Sequence, residues 1–129
     1  RYAPNKREGK GSFPTVEEYR QIRTGLGEAL GLDEQTLKRL FGLFVKSSGD
    51  ELATLGEGVQ EGNFEQIHHS AHKIAGASSG LMITFVEEHA REIEKHAMER
   101  DGGYDYHRSV DAIAQYVARL AEIITEEER

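Results

Sequence analysis

From Thr15 onward the apolar residues of the chain recur at helical spacing almost without interruption. Thr15, with Glu18 three positions on, forms a capping-box pattern just after Pro14, and Val16, Tyr19, Ile22, Leu26 and Leu30 follow it in phase. They predict a short first helix ending near Gly31. Asp33 is the cap of a second helix, in which Leu37, Phe41, Phe44, Ser48, Leu52, Leu55 and Val59 step by three or four. That phase passes straight through Gly49, which predicts one long helix, kinked at most, rather than two short ones, with its end near Gly62. Asn63 caps a third helix. Here Phe64, Ile67, Ala71, Ile74 and Ser78 fall on one buried stripe, and His68, His72, Ala75, Gly76 and Ser79 on a neighbouring, more exposed one. A fourth helix turns Val86, Ala90, Ile93 and Ala97 inward and ends at the turn of Asp101, Gly102 and Gly103. The last carries Val110, Ile113, Ala114, Val117, Leu120 and Ile124 before dissolving into an acidic end. No alternating strand pattern competes. The expected fold is all-α: an up-and-down antiparallel four-helix bundle with an additional short N-terminal helix.

The chain has 129 residues, enough for one domain with a real core and too few for two ordinary ones. Residues 1–12 are basic, contain glycine and lack apolar periodicity, so they read as a flexible linker; 13–125 form the bundle and 126–129 an acidic tail. The start at Arg1 reads as a segment of a longer polypeptide. Sixteen Lys and Arg against 23 Asp and Glu leave a net charge of -7, the wrong sign for nucleic acid, and point to a protein partner. The absence of cysteine removes disulfides and thiolate metal sites and fits a reducing, cytoplasmic setting. No apolar run approaches the roughly 20 residues of a membrane span, so no membrane contact is expected of this segment.

The candidate chemistry lies in the third helix, where His72 is flanked by small residues in the run AHKIAGASSG. Gly76 costs that helix about 1 kcal/mol relative to alanine, yet it clears the surface one turn beyond the histidine. Several segments together resemble the histidine-containing phosphotransfer (HPt) domain family: Phe41 to Phe44 in the long helix, Glu61 to Phe64 at the turn, Ala71 to Gly76 around the histidine, and Ile93 and Glu94 in the fourth helix. The likeness spans about residues 33 to 124 in the family's order and spacing. It implies a helical phosphocarrier without a nucleotide site or kinase activity of its own. In such a multistep relay a single histidine exchanges a phosphoryl group with the aspartate of a response-regulator receiver domain, and the carrier is commonly joined to a sensor histidine kinase, here expected in the same polypeptide. By this resemblance His72 is the phosphoacceptor, Gly76 admits the phosphate, and Glu94 is the polar partner of the imidazole. No cofactor is implied for this chain; Mg²⁺ and a lysine are expected on the receiver.

The chemistry is sound in its own terms. An imidazole with an ordinary pKa of about 6.5 is mostly neutral above pH 7 and needs no separate base to act as a nucleophile. A carboxylate holding the Nδ1 proton leaves the Nε2 lone pair pointing outward. Lys73 is a further candidate phosphate contact, and Ser79 is phased toward the same surface. Two positions depart from the family pattern. A lysine is usual three residues after the histidine, and here that residue is Ala75; a glycine is usual ten residues after, and here Met82 stands there with Gly80 two positions earlier, which implies a shifted turn. Two other readings stay open. One is a docking-only bundle using an apolar patch on the first helix around Tyr19 and Ile22. The other is a metal site drawn from His68, His72, His89 and His96, although no inward carboxylate set completes it.

Overall fold

The computed structural model describes residues 13–128, so the linker expected at residues 1–12 lies outside the described residues. Five helices follow in order: α1 Val16–Leu30, α2 Glu34–Glu61, α3 Phe64–Gly80, α4 Thr84–Met98 and α5 Tyr106–Glu127. There is no strand among the described residues. Helices α2 to α5 form the up-and-down bundle. Each packs on its neighbour in sequence, α3 most extensively on α4, and α2 closes the bundle against α5, while α1 touches α2 and α5 alone and only lightly.

The helix starts rest on side-chain caps that satisfy orphan backbone N–H groups. Thr15 Oγ1 accepts from the Glu18 amide at 3.1 Å, and the Glu18 carboxylate accepts from the Thr15 amide at 2.8 Å. Asp33 accepts from the Thr36 amide at 2.8 Å, and Asn63 from the Gln66 amide at 3.1 Å. Gly31 and Gly62 end α1 and α2 in the left-handed region, with φ of 68° and 67°. Between those ends α2 runs unbroken through Gly49.

The core collects Tyr19 and Leu26 of α1, Leu37, Phe41, Phe44 and Leu55 of α2, the inner faces of α3 and α4, and much of α5. Four expectations need correction. Ala75 is fully buried rather than on the exposed stripe, because α3 is covered by α2 on one flank and α4 on the other, which widens its buried arc. Tyr19 is buried against Phe41, so α1 offers no apolar patch around it. The C-terminal end does not dissolve at Thr125: α5 continues through Glu127, whose carboxylate accepts from Arg20 and Arg23 of α1 at 2.9 and 3.0 Å. Finally, the α3–α4 turn is not shifted. Met82 itself adopts the left-handed region, with φ of 62°, at the position where the family carries glycine. The turn brings α4 back antiparallel along α3.

Candidate functional site

Two helices build the site. On α3, burial of Ile67, Ala71, Ile74, Ala75 and Ser78 leaves His72 on the outer face, its side chain 62% exposed. On α4, Val86, Ala90, Ile93 and Ala97 point inward, so Glu94, one position past Ile93, emerges at the seam with α3. Its Oε2 lies 2.7 Å from His72 Nδ1, and Arg91 Nη1 donates to its Oε1 at 3.1 Å. Burial alone would raise the Glu94 carboxyl, but the hydrogen bonds from His72 and Arg91 outweigh it and hold the group below the usual carboxylate range. An ionised carboxylate can only accept hydrogen bonds, so Nδ1 of His72 carries the proton it shares with Glu94. In the neutral ring the Nε2 lone pair is then the free one.

Gly76 lies one turn further on the same exposed face. A Cβ built there meets nothing within 4 Å, so packing within the domain does not require glycine. What the missing side chain does is keep the surface beside His72 low. Lys73 does not join the group: its Nζ turns toward α2, 3.6 Å from Glu51 Oε2. Ser79 keeps the phase but sits about 10.5 Å along the helix axis, two turns on. The structure therefore gathers His72, Gly76 and Glu94, and separates Lys73 and Ser79 from them.

Two neighbours were not singled out from sequence for this site. Arg91 anchors the far oxygen of Glu94; the three-residue spacing of that pair was the readable signal, though such pairs are common on helix surfaces. His68 shares the stripe of His72, and its ring stacks near that of His72 with centroids 6.3 Å apart. Its buried Nε2 faces Glu94 Oε2 at 3.6 Å, too far for a hydrogen bond, and has no partner. The four histidines considered as metal ligands do not converge. His89 Nδ1 faces the Phe85 carbonyl at 2.9 Å and His96 Nδ1 faces Asp101 at 3.0 Å. Among the described residues, a grouping of metal-capable side chains is His96, Glu99 and Asp101, which includes neither His68 nor His72. Further along α3, a shallow groove of about 460 Å³ against α2 is lined by Leu40, Leu43, Phe44, Ala77 and Leu81 together with Lys46, Ser47 and Asp50. No described helix is long and apolar enough to cross a membrane.

An all-helical bundle in which a solvent-facing histidine is oriented by a carboxylate from the adjacent helix defines a class of histidine phosphotransfer modules. The family model described as Hpt domain matches residues 39–123, and the chain belongs to that family, whose work is histidine phosphotransfer in phosphorelays. Among solved structures, that of histidine-containing phosphotransfer protein B (HptB) from Pseudomonas aeruginosa PAO1 is similar, with a TM-score of 0.68. The match covers 83% of this chain and 90% of that one at 20% identity, a likeness of fold. No curated protein matches the chain.

Proposed function

We propose that His72 carries the phosphoryl group, taking it from and returning it to the aspartate of a response-regulator receiver domain. One observation carries this reading. The 2.7 Å contact between Nδ1 and Glu94 orients a ring that is otherwise open to solvent, with the small surface of Gly76 beside it. In the forward step the Nε2 lone pair attacks phosphorus in line, the N–P bond forms, and the P–O bond breaks with its electron pair leaving on the aspartate carboxylate. The Nδ1 proton stays on the ring, where Glu94 balances the positive charge the ring acquires. Transfer through a loose transition state depends mainly on position and on charge around the phosphoryl oxygens. In this reading the receiver supplies its own Mg²⁺ and lysine, so an acidic carrier holds no metal. The groove of Leu40, Leu43 and Ala77, edged by Lys46 and Asp50, offers a seat for the transient contact with the receiver. In this reading the chain works with a sensor histidine kinase, in the same polypeptide, in the cytoplasm.

The test is transfer from a labelled receiver domain to this chain and to a His72→Gln variant, followed by acid and alkali treatment. The expected result is label on the parent alone, lost in acid and kept in alkali. Binding of receivers without any label on the chain would leave a docking-only bundle.

A further inference from the structure

The position at which the family usually carries a phosphate-steadying lysine is Ala75 in this chain, and it is fully buried. Lys73 leans away onto Glu51. A dianionic phosphoryl group on Nε2 would therefore stand across the ring from the Glu94 carboxylate without compensation from either position. The cation nearest that carboxylate is Arg91. Helices α3 and α4 run antiparallel, and Glu94 faces both His68 and His72. Moving three residues back along α4, about 4.5 Å of rise, thus moves forward along α3 and sets Arg91 beside the turn from His72 to Gly76. This is the stretch of surface that Gly76 keeps low.

We propose that Arg91 is the phosphoryl-contacting cation of this domain, a role that rests on His72 being the acceptor. Its guanidinium is held by one good contact, Nη1 to Glu94 Oε1 at 3.1 Å, and a looser one, Nε to Glu87 Oε2 at 3.8 Å. The side chain is 46% exposed, and a guanidinium has five N–H donors in a rigid fork, so donors remain for a second oxyanion. Phosphorylation brings a charge of about -2 to the ring. The fork then spans Glu94 and a phosphoryl oxygen, screening the two anions from each other and drawing off charge that builds on the equatorial oxygens during transfer. Arg91 stays protonated throughout and no proton moves; the bonds made and broken are those of the histidine–aspartate exchange.

The deciding comparison uses the whole chain and its Arg91→Gln and Arg91→Lys variants. Glutamine keeps an amide donor for Glu94 but removes the charge, and lysine restores the charge without the fork. Each is phosphorylated by phosphoramidate, where the donor P–N bond breaks, ammonia leaves and Nε2–P forms, and separately by a phosphorylated receiver. The phosphohistidine fraction is read by ³¹P NMR, with thermal melting and affinity for the unphosphorylated receiver measured alongside. The expected result is a roughly fivefold lower phosphoryl-transfer equilibrium constant for Arg91→Gln, partial recovery for Arg91→Lys, which returns the charge without the fork, and narrowing of the gap at high salt. Melting and receiver affinity stay unchanged. Wild-type phosphohistidine levels in Arg91→Gln would overturn the assignment, as would a loss that tracks a lower melting temperature or weaker receiver affinity, since that reports folding or docking rather than contact with the phosphoryl group. If the wild type itself takes no phosphoryl group from either donor, the acceptor reading of His72 fails first and the role of Arg91 falls with it.

Discussion

Glu94 joins the chemistry of the site to the stability of the fold. It is mostly buried, ionised, and bonded on one oxygen to His72 and on the other to Arg91. Replacing it by glutamine keeps the reach but removes the charge that fixes the ring and balances it once phosphorylated. The initial rate of phosphoryl uptake by Glu94→Gln is expected to fall roughly tenfold, in line with the loss of carboxylates that orient imidazoles elsewhere. The same pairing has a pH signature. The folded-state pKa of Glu94 lies below its ordinary value, so the stability it contributes is present above the ordinary carboxylate range and is lost as pH falls through the lowered one. The difference in urea midpoint between wild type and Glu94→Gln should therefore shrink between about pH 6 and about pH 3; a constant difference would mean the pairing contributes nothing to stability. At this scale His72, Gly76 and Glu94 were legible through the family pattern. Arg91 was not, because its role depends on which turn of α3 lies opposite it, and one helix's sequence does not contain that information. Lys73, turned to Glu51, and Ser79, two turns on from His72, show a related limit. Angular phase on a helix says neither which neighbouring carboxylate a long side chain will find, nor how far along the axis a phosphate can reach.

Helix α3 shows how an element can give up stability for access. Gly76 lies in mid-helix, is exposed, and has open space where a Cβ would go. Gly76→Ala is thus expected to stabilise the domain by about 0.5–1 kcal/mol, read as a higher melting temperature, while slowing transfer from the receiver. Gly76→Leu should retain the helix and slow transfer further, because its side chain would stand in the phosphoryl's approach. Faster or unchanged transfer in both variants would show that the clear surface has no catalytic use. The turn that follows raises a similar question. Met82 holds a left-handed conformation that disfavours side chains by about 1–2 kcal/mol, yet the α3–α4 register is the one that sets Glu94 against His72. The methionine thus sits in a strained left-handed turn from which α4 returns along α3. Elements were the most legible level of this chain, because caps and stops act through adjacent residues: Thr15 with Glu18, Asp33, Asn63, Gly31 and Gly62 all act where the sequence places them. The width of each buried face was less legible. Ala75 in α3, and Tyr106, Tyr116 and Ile123 in α5, are buried because those helices are covered on more than one flank, a consequence of packing order that a single stripe of apolar residues does not encode.

At the scale of the molecule, α1 is held to the bundle by buried Tyr19 and Leu26 and by one buried cation. Arg23 lies across the Tyr19 ring and pairs with Glu34 at the start of α2 and with Glu127 at the end of α5, at 2.9 and 3.0 Å. These partners are far apart in sequence, which is why the acidic C-terminal end reads as a tail outside the last helix. The guanidinium holds Glu127 below the usual carboxylate range, so this contribution too is present above the ordinary carboxylate pKa and fades as acid passes through the lowered one. Arg23→Ala removes the charge and the packed stem together and leaves a largely buried Glu127 with only Arg20, so a loss of about 2–3 kcal/mol is expected in urea unfolding. The Arg23 network and the His72 seam share no partner: one joins α1 to the ends of α2 and α5, the other lies between α3 and α4. Two consequences follow from that separation. The Arg23→Ala variant should transfer phosphoryl groups at nearly the wild-type rate under conditions where it remains folded. Combined with Glu94→Gln, its cost in stability should add to within about 0.5 kcal/mol, as for independent sites. A larger coupling, or a transfer defect in Arg23→Ala at full folding, would mean that α1 docking is transmitted along the bundle to the histidine, and would make α1 part of the phosphotransfer unit rather than a brace for it.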